Sequence, residues 1–140
     1  MFWKCPRCSK EFAKTSQSHI CENVDPQQLF SGKEEQVFVL YLILLDRVEQ
    51  KMRTIVTATT KSVTLYSQSR RSFLVISPRR KFLDVWFSLD TKMDDPWITK
   101  IFQASKKKYV HYVRITESRQ INAALIRAVA KAYKLVNGAG

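Results

Sequence analysis

The apolar positions of this chain change their period twice, dividing it into a helix, a run of strands and a second helix. Between Glu34 and Met52 lies an unbroken apolar stretch of nine residues, Val37 to Leu45. The pattern predicts a helix over 34–52, apolar all round and therefore lying deep against a sheet. Glu34 and Glu35 open it and Arg47 and Lys51 close it, as the helix dipole prefers. A buried strand is the rival for such a run, and the leucines and charged flanks weigh against it. From Arg53 to Ile115, β-branched and aromatic residues take over. Strands are predicted at Thr54 to Thr59, Ser62 to Ser67, Phe73 to Ser77, Phe82 to Leu89 and Tyr109 to Ile115. Their short connections imply an antiparallel meander. Leu83, Val85, Phe87 and Leu89 alternate along the fourth strand, so that face should meet the helices. Asp90 to Lys108 is predicted as a loop with a short helix near Trp97 to Phe102, begun by Asp95-Pro96. Ile121, Leu125, Ala128, Val129 and Ala132 recur at helical spacing, predicting a closing helix from Ser118 to Leu135 stopped by Asn137-Gly138.

The expected fold class is therefore α+β: an antiparallel meander of four to five strands covered on one face by an N-terminal and a C-terminal helix. A chain of 140 residues holds about one domain. Residues 1–24 stand apart from this pattern and are too few to bury a core of their own. They are expected to form a small metal-dependent segment ahead of an α+β domain of residues 25–140, with Asp25-Pro26 starting a turn through Phe30 that ends at Gly32. No apolar run approaches the roughly eighteen residues that cross a bilayer. Met1 to Lys10 lacks the apolar core of a secretory signal. No membrane partner and a cytoplasmic, reducing location are expected.

All three cysteines and one of the two histidines fall in the first twenty-one residues, as Cys5-Pro6-Arg7-Cys8, ten residues, then His19-Ile20-Cys21. Thiolate sulfur and imidazole nitrogen are the preferred ligands of tetrahedral zinc, and the count closes at four. A Cys-x2-Cys pair grips a metal from one turn, and a His-x-Cys pair presents two ligands on one side of an extended segment. One structural zinc held by Cys5, Cys8, His19 and Cys21 is expected, since a catalytic zinc keeps a position open for water. A disulfide would leave one of three cysteines over.

The net charge of +12 is unevenly spread: residues 52–114 carry thirteen bases and four acids, +9. Clustered positive charge attracts polyanions, nucleic acid first among them. Arg70-Arg71 and Arg79-Arg80-Lys81 occupy successive turns of the meander, hence opposite ends of the sheet. Lys106-Lys107-Lys108 opens the fifth predicted strand, at the same end as Arg70-Arg71, so five bases should share one rim suited to phosphate contact. A charged edge that prevents strand-to-strand aggregation is the structural alternative. The second candidate is the sheet face away from the helices. There Phe82, Asp84, Trp86 and Ser88 alternate beside Tyr66, Tyr112 and Arg114, and aromatics next to arginine could stack bases of a single strand. Packing of Trp86 and Tyr66 under the metal segment is the alternative for that face. Only three glycines occur, and neither a Gly-rich phosphate loop, nor His-Glu-x-x-His, nor Gly-x-Ser-x-Gly is present, which argues against an enzyme.

Cys5-Pro6-Arg7-Cys8, Phe12 and Ser16-Gln17-Ser18-His19-x-Cys21 resemble the head of an uncharacterised bacterial family, domain of unknown function 5655. Thr60-Lys61-Ser62, Pro78 to Asp84, Asp94-Asp95-Pro96 and Tyr109 to Arg114 are similar to recurring segments of its body, in the same order. The resemblance implies a domain similar in outline to double-wing domains suspected of binding DNA, and it keeps open a pocket for a small anion lined by Lys61, Arg80 and His111. The reading of the whole is a zinc-containing, basic accessory protein that binds nucleic acid with little sequence preference. A small-anion or enzymatic site and a module that docks a protein partner are the alternatives.

Overall fold

The computed structural model describes residues 2–6, 11–14 and 26–137. It begins with a short antiparallel ribbon of β1 (Trp3–Lys4) and β2 (Glu11–Phe12), in which Trp3 faces Phe12 and Lys4 faces Glu11. The ribbon brackets the Cys5–Cys8 stretch of the sequence.

A 3-10 turn, Pro26–Phe30, leads into α1 (Glu35–Glu49). Gly32 between them has φ 77°, a left-handed conformation that favours glycine. The Phe30 ring sits 5.0 Å from Phe38 and 5.1 Å from Tyr41, fixing the angle at which the turn enters the helix. The Glu34 N–H donates to the Arg80 carbonyl at 2.9 Å, tying the start of α1 to a turn of the sheet.

The main sheet has six strands: β3 (Ile55–Ala58), β4 (Val63–Tyr66), β5 (Ser72–Pro78), β6 (Leu83–Leu89), β7 (Lys100–Ser105) and β8 (Lys108–Ile115). Every neighbouring pair is antiparallel and the spatial order is β3-β4-β5-β6-β8-β7. The five predicted strands are present within a residue or two, and β7 is additional. The helix expected near Trp97 to Phe102 does not form. Pro96 and Trp97 make a turn, and Lys100–Ser105 pairs with β8 through a tight turn at Lys106-Lys107. Here β-ladder hydrogen bonds outweigh the start signal of Asp95-Pro96. This edge strand is almost wholly exposed, so no one-sided apolar period marks it.

A 3-10 turn, Ser118–Gln120, precedes α2 (Ala123–Asn137). The helix starts five residues later than Ser118 because the Asn122 side chain caps it, accepting the Leu125 N–H at 3.1 Å. Both helices lie on one face of the sheet. Val37, Leu40, Leu44 and Val48 of α1 and Leu125, Ala128, Val129 and Ala132 of α2 share one core with Leu65, Ile76, Val85, Phe87 and Val113. The alternation Leu83, Val85, Phe87, Leu89 does point at the helices. The expectation of an α1 buried all round needs correction: Val39 is 47% and Leu42 46% exposed, since one sheet covers one side of a helix. Deleting a wholly buried side chain such as Leu44 or Leu65 should cost about 2–5 kcal/mol.

Candidate nucleic-acid interface

Strand alternation sorts side chains between two faces. Opposite the helices stand Thr64 and Tyr66 of β4, Val75 and Ser77 of β5, Asp84, Trp86 and Ser88 of β6, and Val110, Tyr112 and Arg114 of β8. β7 adds Lys100 opposite Tyr112 and Phe102 opposite Val110. Tyr66, Trp86 and Tyr112 are half-buried, and Phe102 is 54% exposed. The Trp86 and Tyr112 rings pack 5.6 Å apart. Lys100 Nζ lies 5.6 Å above the Tyr112 ring, and the Arg114 guanidinium 4.2 Å above Phe82. Burial raises the Tyr66 phenol above its ordinary value, so the ring is neutral at physiological pH. The face is therefore a row of neutral rings flanked by cations, a surface that can offer π faces to bases and charges to phosphates. Asp84 is its internal counter-charge, accepting from Arg79 Nε at 3.2 Å and facing Arg114 Nε at 3.8 Å.

The two basic ends predicted for the sheet lie where the topology puts them. Arg71 precedes β5 and Lys108 begins β8, and the register of both strands on β6 places them at the Leu89 end. Arg70, Arg71 and Lys108 line one open depression of about 530 Å³ together with Lys14 and Tyr66. Lys106 and Lys107 form the adjacent β7–β8 turn and are exposed, but they do not line it. Arg70 is committed elsewhere. It has φ 65°, its Nη2 lies 3.0 Å from Glu11 Oε2, and its guanidinium covers the Phe2 ring at 5.0 Å. It docks the N-terminal ribbon onto the β4–β5 turn.

At the opposite end, Lys61 sits in the β3–β4 turn and Arg79 follows β5. Both line a depression of about 790 Å³ with Lys33 and Trp86. Arg80 and Lys81 are exposed in the neighbouring turn and do not line it, nor does His111. The pocket expected from Lys61, Arg80 and His111 is thus not assembled as a unit.

His111 lies on the helix side, fully buried and stacked at 5.6 Å on Phe87. Its Nδ1 meets the Tyr109 carbonyl at 2.9 Å and its Nε2 accepts the Met93 N–H at 2.9 Å. These partners assign the neutral tautomer with the proton on Nδ1. Burial lowers its pKa below the ordinary value, against the raising effect of the Tyr109 hydrogen bond. His111 latches the 90–99 segment onto the core.

Of the four expected zinc ligands, Cys5 is described: it directly follows β1 and is buried at 4% exposure. Cys8, His19 and Cys21 lie outside the described residues. Among the described residues no three metal-capable side chains come together.

Residues that the sequence reading missed are Lys100 and Phe102, on the unrecognised β7, and Lys33 and Lys14. No apolar period marked the first pair, because β7 is exposed along nearly its whole length. The fold and faces define a one-side-covered antiparallel sheet with an aromatic and basic outer surface. The chain belongs to the family described as Domain of unknown function (DUF5655), which it matches over residues 27–136. No curated protein and no solved structure matches it. No helix among the described residues is long and apolar enough to cross a membrane.

Proposed function

We propose that this protein binds nucleic acid with little sequence preference, drawing a single strand across the outer face of the sheet. One observation carries the reading: Tyr66, Trp86, Tyr112 and Phe102 stand on that one face, with Lys100, Arg71 and Lys108 beside them. Unpaired bases have free π faces for such rings, whereas a duplex hides them, and the cations read only the backbone. Stacking and phosphate contact do not depend on which base is present, which supports tolerance of sequence.

The N-terminal segment is proposed to fold around one structural zinc on Cys5, Cys8, His19 and Cys21. The burial of Cys5 at the end of a ribbon strand fits a ligand in a metal-held turn, and the four-donor set is saturated for zinc. The metal supplies folding energy to a segment without a core, and Arg70 couples that segment to the basic end of the sheet.

The test is titration of fluorescent oligonucleotides, single-stranded and duplex, across a range of salt. If about four phosphates are neutralised, log K should fall against log salt with a slope near −3 for a single strand. The single strand should bind more tightly than duplex of the same length. Tighter duplex binding would move the contact from the rings to the rims. Absence of binding to either at low salt would refute the proposal and leave a protein-docking role, for which exposed Val39 and Leu42 on α1 would be the first surface to probe.

A further inference from the structure

We infer that the depression at the Lys61 end of the sheet is a site for a phosphate monoester carried next to a flat ring, as at the phosphorylated end of a strand or on a free nucleotide. Its volume of about 790 Å³ lies within the range of about 300–1,000 Å³ typical of small-molecule sites. Three segments distant in sequence converge on it: the 3-10 turn with Lys33, the β3–β4 turn with Lys61, and the end of β5 with Arg79. The lining contains these three cations and no carboxylate. Thr60, Ser62, Ser77 and Trp86 also line it, the Ser77 hydroxyl donating to the Lys61 carbonyl at 3.5 Å.

The charge count favours a monoester over an internal phosphodiester. A diester carries one negative charge, whereas a terminal phosphate carries about 1.5 to 2 at neutral pH with three acceptor oxygens. Arg79 shares its charge with Asp84, and Lys33 and Lys61 still bring two positive charges, more than the one that a diester needs. The cations are also pre-positioned. The Lys33 ammonium is held by the Leu29 carbonyl at 2.6 Å, which uses one of its three protons. Arg79 is held through Nε on Asp84 at 3.2 Å, leaving the two terminal nitrogens of its fork. The Lys61 turn is fixed from inside, because Thr59 Oγ1 accepts the N–H groups of both Lys61 and Ser62 at 3.2 and 3.0 Å. Trp86 belongs to the outer aromatic row as well, so a base stacked on it would bring its phosphate to these cations.

This site rests on the proposed strand-binding face only through Trp86, so the two can fail separately. The experiment compares one twelve-nucleotide single strand in three forms: 5′-phosphorylated, 3′-phosphorylated, and hydroxyl at both ends. A free nucleoside monophosphate is the competitor. The wild-type chain and Lys61→Gln are assayed, with Lys33→Gln as a second variant and thermal melting to verify folding. One phosphorylated end should bind about tenfold more tightly than the hydroxyl-ended strand, since charge-assisted hydrogen bonds are the strong ones. Lys61→Gln and Lys33→Gln should erase that increment while leaving the hydroxyl-ended strand bound as before. Competition by the free monophosphate of the increment alone supports the same site. Equal affinity of all three strands, with no effect of the monophosphate, would overturn the site and leave the strand-binding face standing. Monophosphate binding that depends on Lys61, without binding of any strand, would support the site for a free nucleotide and overturn the face. An increment that survives both substitutions would place the end phosphate elsewhere and overturn this assignment.

Discussion

Trp86 and the pair Arg71 and Lys108 separate the two physical components of the proposed strand binding, and substituting them should give distinct signatures. Trp86 projects from the middle of the outer face, outside the buried core, and its described ring neighbour is Tyr112 at 5.6 Å. Trp86→Ala therefore removes a stacking surface without opening the core. Loss of one base stack is worth roughly 1–3 kcal/mol, so affinity should fall about 5- to 150-fold. No charge changes, so the slope of log K against log salt should be that of the wild-type chain. Stability should fall by about 0.5–1.5 kcal/mol for the lost aromatic pair and further for the buried area of a half-buried indole, which urea unfolding would report. Arg71→Ala with Lys108→Ala does the converse. It removes two proposed phosphate contacts at the 530 Å³ depression, and the slope should become shallower by about 1.4 for a single strand. Polarisation titrations of an oligo-thymidine at four salt concentrations measure both quantities at once. Unchanged affinity in Trp86→Ala would refute stacking on this face. A slope unmoved by the double change would refute the assignment of that rim to phosphate.

Three further outcomes are expected. Metal analysis of the purified chain should find about one zinc per molecule, and Cys8→Ser should release it and unfold residues 1–24 while the cooperative melt of the α+β domain survives. His111 is neutral in the fold with a pKa below its ordinary 6.5, so its contribution to stability is whole above about pH 6.5 and is lost progressively as pH falls from there through the folded value; thermal melts between pH 5 and 7.5 should show the drop, and His111→Leu should flatten it while costing about 1–3 kcal/mol for the orphaned Met93 N–H. Gly32→Ala meets open space but keeps a φ of 77°, so it should destabilise by about 1 kcal/mol through backbone strain alone, read as a small shift in the urea midpoint.

The elements with a one-sided apolar period were legible in the sequence. Leu83 to Leu89 alternates, and α2 repeats every three or four residues, because each faces a core on one side and solvent on the other. β7 was not legible for the opposite reason. Exposed along nearly its whole length, it is held by ladder hydrogen bonds to β8, which leave no trace in side-chain type. With β7 missed, Lys100 and Phe102 could not be assigned to the outer face. Alternation alone puts His111 and Tyr112 on opposite faces, but that His111 is buried against Phe87 and holds the Met93 N–H depends on the fold. Lys33 was invisible as a site residue because it reaches the Lys61 turn only through the fold.

Net charge alone would have treated the cations of residues 52–114 as equivalent, and the geometry divides them. Arg70 and Arg71 are neighbours, but the left-handed backbone at Arg70 turns its side chain toward Glu11 and Phe2, while Arg71 lies in the open depression with Lys108 and makes no ion pair among the described residues. Arg79 and Arg114 share Asp84, which orients them over the outer face at the cost of half their field. Lys100 and Lys108 also make no ion pair among the described residues. An edge charged only against aggregation would need no such sorting, since any lysine along β3 or β7 would serve. What sets this surface apart is that its unpaired cations Arg71, Lys108 and Lys100 stand at one end and along the open edge of a face that carries aromatic rings. Solubility does not call for that arrangement, whereas it suits the proposed partner, a polyanion that carries flat rings between its charges.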